Sequence, residues 1–80
     1  MIGKKKAMAE FKLTNNIRKL RFENGEMSQQ QLADLVGCTR QTIISLEQDR
    51  YSPSLILAAR MAYVFKVSID DIFIFEFESN

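Results

Sequence analysis

The chain has 80 residues, 46% hydrophobic and 26% charged, the balance of one small globular domain that buries roughly 60–65% of its unfolded surface. A single cysteine and no histidine exclude an internal disulfide framework and leave no ligand set for zinc, and no apolar run approaches the roughly 18–20 residues of a membrane span. The net charge of +1 means that any basic surface must come from segregation of charge, not from excess.

The opening MIGKKKAMAE has a basic patch but no apolar stretch behind it, so it does not read as a secretory signal. Residues 1–7 read as a flexible arm, because Gly3 and Lys4 to Lys6 offer nothing to bury, and 8–80 as one domain. Met8 to Leu13 alternates, with Phe11 and Leu13 on one face and Glu10 and Lys12 on the other, which predicts a short strand over about 8–13. Thr14 or Asn15 can cap a first helix running to about Asn24, with Ile17, Leu20 and Phe22 turned inward. Asn24-Gly25 ends it.

Ser28 to Leu46, SQQQLADLVGCTRQTIISL, predicts two short helices, at about 29–36 and 40–48, around a tight turn at Gly37. Ser28 and Gln31 form a capping box, and Leu32, Ala33 and Val36 supply an apolar stripe. Gly37 can take the left-handed conformation that stops the first helix, and Thr39 caps the second. Cys38 reads as core filler in the turn. With Ile43 and Leu46 buried, Arg40, Gln41, Ile44 and Ser45 are left pointing outward.

A polar connector, Gln48 to Tyr51, leads to Ser52-Pro53, a helix start in which proline gives up only an N–H that would be unpaired anyway. Leu55, Leu57, Ala58, Met61, Ala62 and Phe65 give this fourth helix a wide buried face. On its opposite face Ile56, Ala59 and Tyr63 recur at i, i+3, i+7, where polar residues are expected; such a stripe marks an interface. Ser68 with Asp71 opens a short fifth helix. Phe73 to Glu78 alternates strictly and predicts a strand pairing with 8–13, Lys12 near Glu76 or Glu78, and the Phe73, Phe75, Phe77 face covered by the core beside Phe11 and Leu13. The fold class is therefore mainly α, four or five helices with a small antiparallel ribbon made by the flanks.

The residues Gln29, Leu32-Ala33, Gly37, Thr39 to Ile43, Glu47, Tyr51 to Leu55 and Val67 to Phe73 recur in the order of a known group. Over roughly 16–73 the chain resembles the lambda-repressor/Cro type of helix-turn-helix protein, the prokaryotic group often called Xre-like, and its strand-like flanks resemble the short cytolysin-repressor-like regulators. The turn Asn24 to Met27 is one residue longer than is usual there, which bears on whether Arg18 and Arg21 lie near phosphates.

The resemblance implies that helix 40–48 enters the major groove of double-stranded DNA. Arg40 can donate to guanine O6 and N7, Gln41 can pair with adenine N6 and N7, Ser45 can donate or accept, and Ile44 can meet a thymine methyl. Gln29, Thr39, Thr42 and Arg50 are the phosphate-contacting candidates, and Lys4 to Lys6 are either a solubilising tail or a DNA arm. Glu47 resembles the position that pairs with an arginine of the first helix, here Arg21. A homodimer on a pseudo-palindromic operator is expected, with the ribbon (Ile74, Phe75) contributing to its interface and the stripe Ile56, Ala59, Tyr63 as the alternative surface. No cofactor, metal or membrane is called for, and without histidine, an activated cysteine or a phosphate-cradling glycine loop the chain does not read as an enzyme. The expected role is a cytoplasmic, nucleoid-associated regulator, a repressor by preference. The alternative is an antitoxin-like interaction module that keeps the fold.

Overall fold

Capping residues set the start of each helix in the computed structural model, which describes residues 11–50 and 52–77. The order is β1 (Phe11–Asn15), α1 (Ile17–Glu23), α2 (Gln29–Val36), α3 (Arg40–Glu47), α4 (Leu55–Phe65), α5 (Ile69–Ile72) and β2 (Phe73–Phe77). The chain is thus mainly helical with one two-stranded sheet. Ser28 Oγ accepts from the Gln31 N–H at 3.0 Å while Gln31 Oε1 accepts from the Ser28 N–H at 2.8 Å, the expected reciprocal cap of α2. Thr39 Oγ1 caps α3 by accepting from Thr42 N–H at 3.1 Å. At α5, Asp71 Oδ2 accepts from the Ser68 N–H at 3.1 Å.

The core gathers Ile17, Leu32, Val36, Ile43, Leu46, Met61 and Ile72 from all five helices, each at most 1% exposed. Cys38 is half-buried against this cluster as expected of filler. Burial pushes its thiol pKa up, so it stays protonated at neutral pH and is a poor nucleophile.

Four expectations need correction. The first strand runs over Phe11–Asn15, later than 8–13, because Thr14 and Asn15 pair with Ile74 and Phe73 and do not cap a helix from the N-cap position. Asn16 takes that position, yet Asn15 Oδ1 still accepts from the Ile17 N–H at 3.0 Å. Phe22 is not inward but 52% exposed, since the inward place one residue earlier belongs to Arg21, at 6%. Helix α4 starts at Leu55 and not at Pro53, because Ser54 Oγ takes the Leu57 N–H at 3.1 Å; Leu55, at the exposed first position, is 79% exposed. Finally, the core covers Phe73 (3%) but leaves Phe75 at 53%.

The ribbon register places Lys12 opposite Glu76 and Leu13 opposite Phe75. Lys4 to Lys6 with the rest of the 1–7 arm, and positions 8–10 and 78 of the expected strands, lie outside the described residues.

Candidate nucleic-acid interface

The geometry of the α2–α3 pair begins at Gly37. Its φ of +77° is the left-handed value that favours glycine, and Gly37 N–H and Cys38 N–H both donate to Ala33 O, at 2.9 and 3.0 Å. From α4, Arg60 Nη1 donates to Val36 O at 3.2 Å and closes the end of α2. A Cβ at Gly37 would meet that same guanidinium at 3.1 Å.

Helix α3 leaves the turn with Ile43 and Leu46 locked in the core, at 0 and 1% exposure. At 100° per residue the positions 40, 41, 44 and 45 then cover an arc of about 140° on the other side. Arg40 and Gln41 are exposed in the first turn, and their side chains have no hydrogen-bond partner among the described residues. Ile44 and Ser45 are half-buried one turn on. Thr39 is exposed and Thr42 half-buried, their hydroxyls 3.0 Å apart. Arg50 is exposed past the end of α3, held by its backbone N–H on Ser45 O at 3.0 Å.

One carboxylate fixes how α3 sits. Arg21 donates Nε to Glu47 Oε2 at 2.7 Å and Nη2 to Oε1 at 3.1 Å, with side chains 8% and 10% exposed, and its Nη1 donates to Met27 O at 2.7 Å. Gln29 Nε2 donates to the same Glu47 Oε1 at 3.1 Å. Glu47 therefore ties α1, the first turn of α2 and the last turn of α3 together, the structural role its position implied. It is the sole carboxylate on α3 and is neutralised by Arg21, so the exposed face of that helix carries only the positive charge of Arg40.

Gln29 and Ile44 share a groove of about 590 Å³ with Gln48, Arg18 and Phe22. Phe22 and Gln48 are the residues here that the sequence reading missed; an aromatic on an otherwise polar turn of α1 was the available signal for the first. The two candidate assembly surfaces differ. Ile56 (61%), Ala59 and Tyr63 (85%) form one exposed stripe on α4, whereas Ile74 and Phe75, as consecutive strand residues, point to opposite faces of the ribbon.

The helix-turn-helix family profile matches residues 17–72, from the start of α1 to the end of α5. The chain belongs to the Xre-like helix-turn-helix family. This Xre-like chain is 56% identical over 61 residues to an uncharacterized HTH-type transcriptional regulator of Methanothermobacter thermautotrophicus, covering 75% of this chain and 87% of that protein. It is 46% identical over 66 residues to another from Archaeoglobus fulgidus, with 82% and 93% covered. It is 37% identical over 67 residues to YgzD of Bacillus subtilis, again an uncharacterized HTH-type transcriptional regulator, with 84% and 100% covered. Among the described residues no helix is long and apolar enough to cross a membrane, and no group of acidic, histidine or cysteine side chains could hold a metal ion.

Proposed function

We infer that this Xre-like regulator is a sequence-specific repressor that reads double-stranded DNA as a homodimer, in the cytoplasm and on the nucleoid. The observation that carries the reading is the first turn of α3: two exposed side chains without partners, Arg40 and Gln41, on a helix whose inner face is rigidly held. Arg40 offers a bidentate pair of donors and Gln41 a donor beside an acceptor, patterns that distinguish base edges in the major groove. Ile44 and Ser45 lie one turn deeper along the same face, and Gln29, Thr39, Thr42 and Arg50 flank it on the side of the phosphates. One such helix spans only a few base pairs, so a two-fold dimer on a pseudo-palindrome supplies the remaining specificity, with the α4 stripe as the preferred interface. Occupying the groove is enough to exclude other proteins from a promoter, so repression needs no further surface.

Selection of duplexes from a random pool should return one symmetric site. Arg40→Ala and Gln41→Ala should each weaken that site by ~1–3 kcal/mol and relax preference at one or two base pairs, with unchanged thermal melts. Wild-type affinity in both variants would refute the recognition-helix assignment. A chain that prefers no duplex over random DNA would instead favour an antitoxin-like interaction module.

A further inference from the structure

Phe22 is a large aromatic left 52% exposed on α1, although the helix has an apolar interior within reach. Two guanidiniums lie over its ring, Arg21 Cζ at 5.5 Å and Arg18 Cζ at 5.7 Å from the centroid. Both distances are within the range at which the ring quadrupole attracts a cation. The two arginines are otherwise unlike. Arg21 is buried and neutralised by Glu47. Arg18 is exposed and has neither hydrogen bond nor ion pair among the described residues, so among them the ring is the only electrostatic partner of its guanidinium.

Phe22, Arg18 and Arg21 line the groove that also holds Ile44 of α3, Gln48 just past its end and Gln29 of α2. Among the described residues the only carboxylate lining that groove is Glu47, already satisfied by Arg21, so one positive charge is left over, and it is that of Arg18. An arginine on an exposed helix face ordinarily samples many rotamers, and fixing one of them costs free energy when it binds. A ring beneath the guanidinium removes part of that cost beforehand.

We propose that Phe22 is a positioning residue for DNA binding: its ring holds the Arg18 guanidinium at the mouth of the groove between α1 and α3, where it meets a backbone phosphate beside the bases read by α3. The inference rests on the duplex-DNA reading above and adds to it a residue that touches no base. It also gives a role to an aromatic that the helix leaves exposed. The ligand chemistry is that of a phosphodiester, so binding through this contact is independent of sequence and sensitive to salt.

The test measures affinity for the selected site and for random duplex across a salt series, with the full chain and the variants Arg18→Ala, Phe22→Leu, Phe22→Tyr and the double variant R18A/F22L. Arg18→Ala should weaken both DNAs by the same factor and lower the salt slope by about one. Phe22→Leu keeps apolar bulk but loses the quadrupole, and should weaken both DNAs ~2–5-fold with an unchanged melt, while Phe22→Tyr binds as wild type. The double variant should be no weaker than R18A alone, because Phe22 acts through Arg18; a purely structural role would make the losses add. Wild-type binding by Phe22→Leu, or additive losses in the double variant, overturns the proposal and leaves the base-reading assignment standing. A wild-type chain that binds no duplex overturns both.

Discussion

Helices α3 and α4 bury comparable inner faces but present opposite outer ones. The outer face of α3 is Arg40, Gln41 and Ser45 around a half-buried Ile44; that of α4 is Ile56, Ala59 and Tyr63, its one charged residue, Arg60, being drawn to Val36 O on α2. Unpaired polar groups in water cost little, since water satisfies them, and they become selective only when a partner offers a complementary pattern. An ordered apolar stripe carries a hydration cost at all times, which a second surface can remove. The first arrangement suits recognition of one base sequence among many, and the second suits a permanent partner. On the proposed function those are DNA and a second copy.

The largest expected effect breaks the inner side of this comparison. In Glu47→Ala the Arg21 guanidinium stays buried without its carboxylate, and Gln29 Nε2 loses its acceptor. Removing one partner of a buried pair costs ~3–5 kcal/mol, a large part of the ~4–12 kcal/mol that a domain of this size has. Urea unfolding followed by circular dichroism should show a midpoint far below that of the wild type. A Glu47→Ala protein with the wild-type midpoint would mean that α3 is positioned by Ile43 and Leu46 alone.

Next in size is the outer face of α4. Tyr63 is 85% exposed, so Tyr63→Glu should leave the isolated fold within about 0.5 kcal/mol. In a dimer built on the stripe it places two carboxylates where apolar rings met, and dimer dissociation should rise ~10-fold or more by sedimentation equilibrium. Gln41→Ala in the same experiment should sediment as wild type. An unaltered dimer in Tyr63→Glu would move the interface to the β-ribbon.

The parts legible in the sequence are those fixed by neighbours along the chain. The Ser28/Gln31 box, the left-handed Gly37 and the Thr39 cap each depend on atoms within three or four residues, and each stands where the spacing places it. Strand pairing of the flanks was legible through alternation, and Lys12 stands opposite Glu76, one of its two expected partners; the end of the first strand was not legible, because Thr14 and Asn15 suit a cap as well as a strand. Phe22 was misread for a different reason. Hydrophobic periodicity assigns inward positions to apolar residues, and here the inward position went to Arg21, whose burial depends on a carboxylate 26 residues away. The Arg21–Glu47 pair was legible from the family resemblance, but its consequence for Phe22 was not. The exposure of Arg40 and Gln41 could be read from Ile43 and Leu46 alone, since a short helix with one face in the core leaves little choice for the other.

The smallest effect concerns how the same two helices end. After α3 Asp49 has φ of 58°, and after α4 Lys66 has φ of 59°, so both stops use the left-handed conformation without glycine. The hydrogen bonds are of one kind: Arg50 N–H to Ser45 O at 3.0 Å in the first, Val67 N–H to Ala62 O at 3.1 Å in the second. A side chain in that conformation is strained, so Lys66→Gly should stabilise the domain by ~0.5–1 kcal/mol after the larger unfolded-state entropy of glycine is deducted. In a domain of this size that is a rise in Tm of roughly 2–8 °C. Asp49→Gly relieves the same strain but removes one of the two acceptors of Asn15 Nδ2, 3.0 Å away, a hydrogen bond worth ~0.5–1.5 kcal/mol, while Leu46 O at 2.7 Å remains. Its net change should therefore lie close to zero. Equal rises in Tm for the two variants would show that the Asn15–Asp49 contact contributes nothing, and a fall in Lys66→Gly would show that the lysine side chain stabilises its turn by more than its backbone costs.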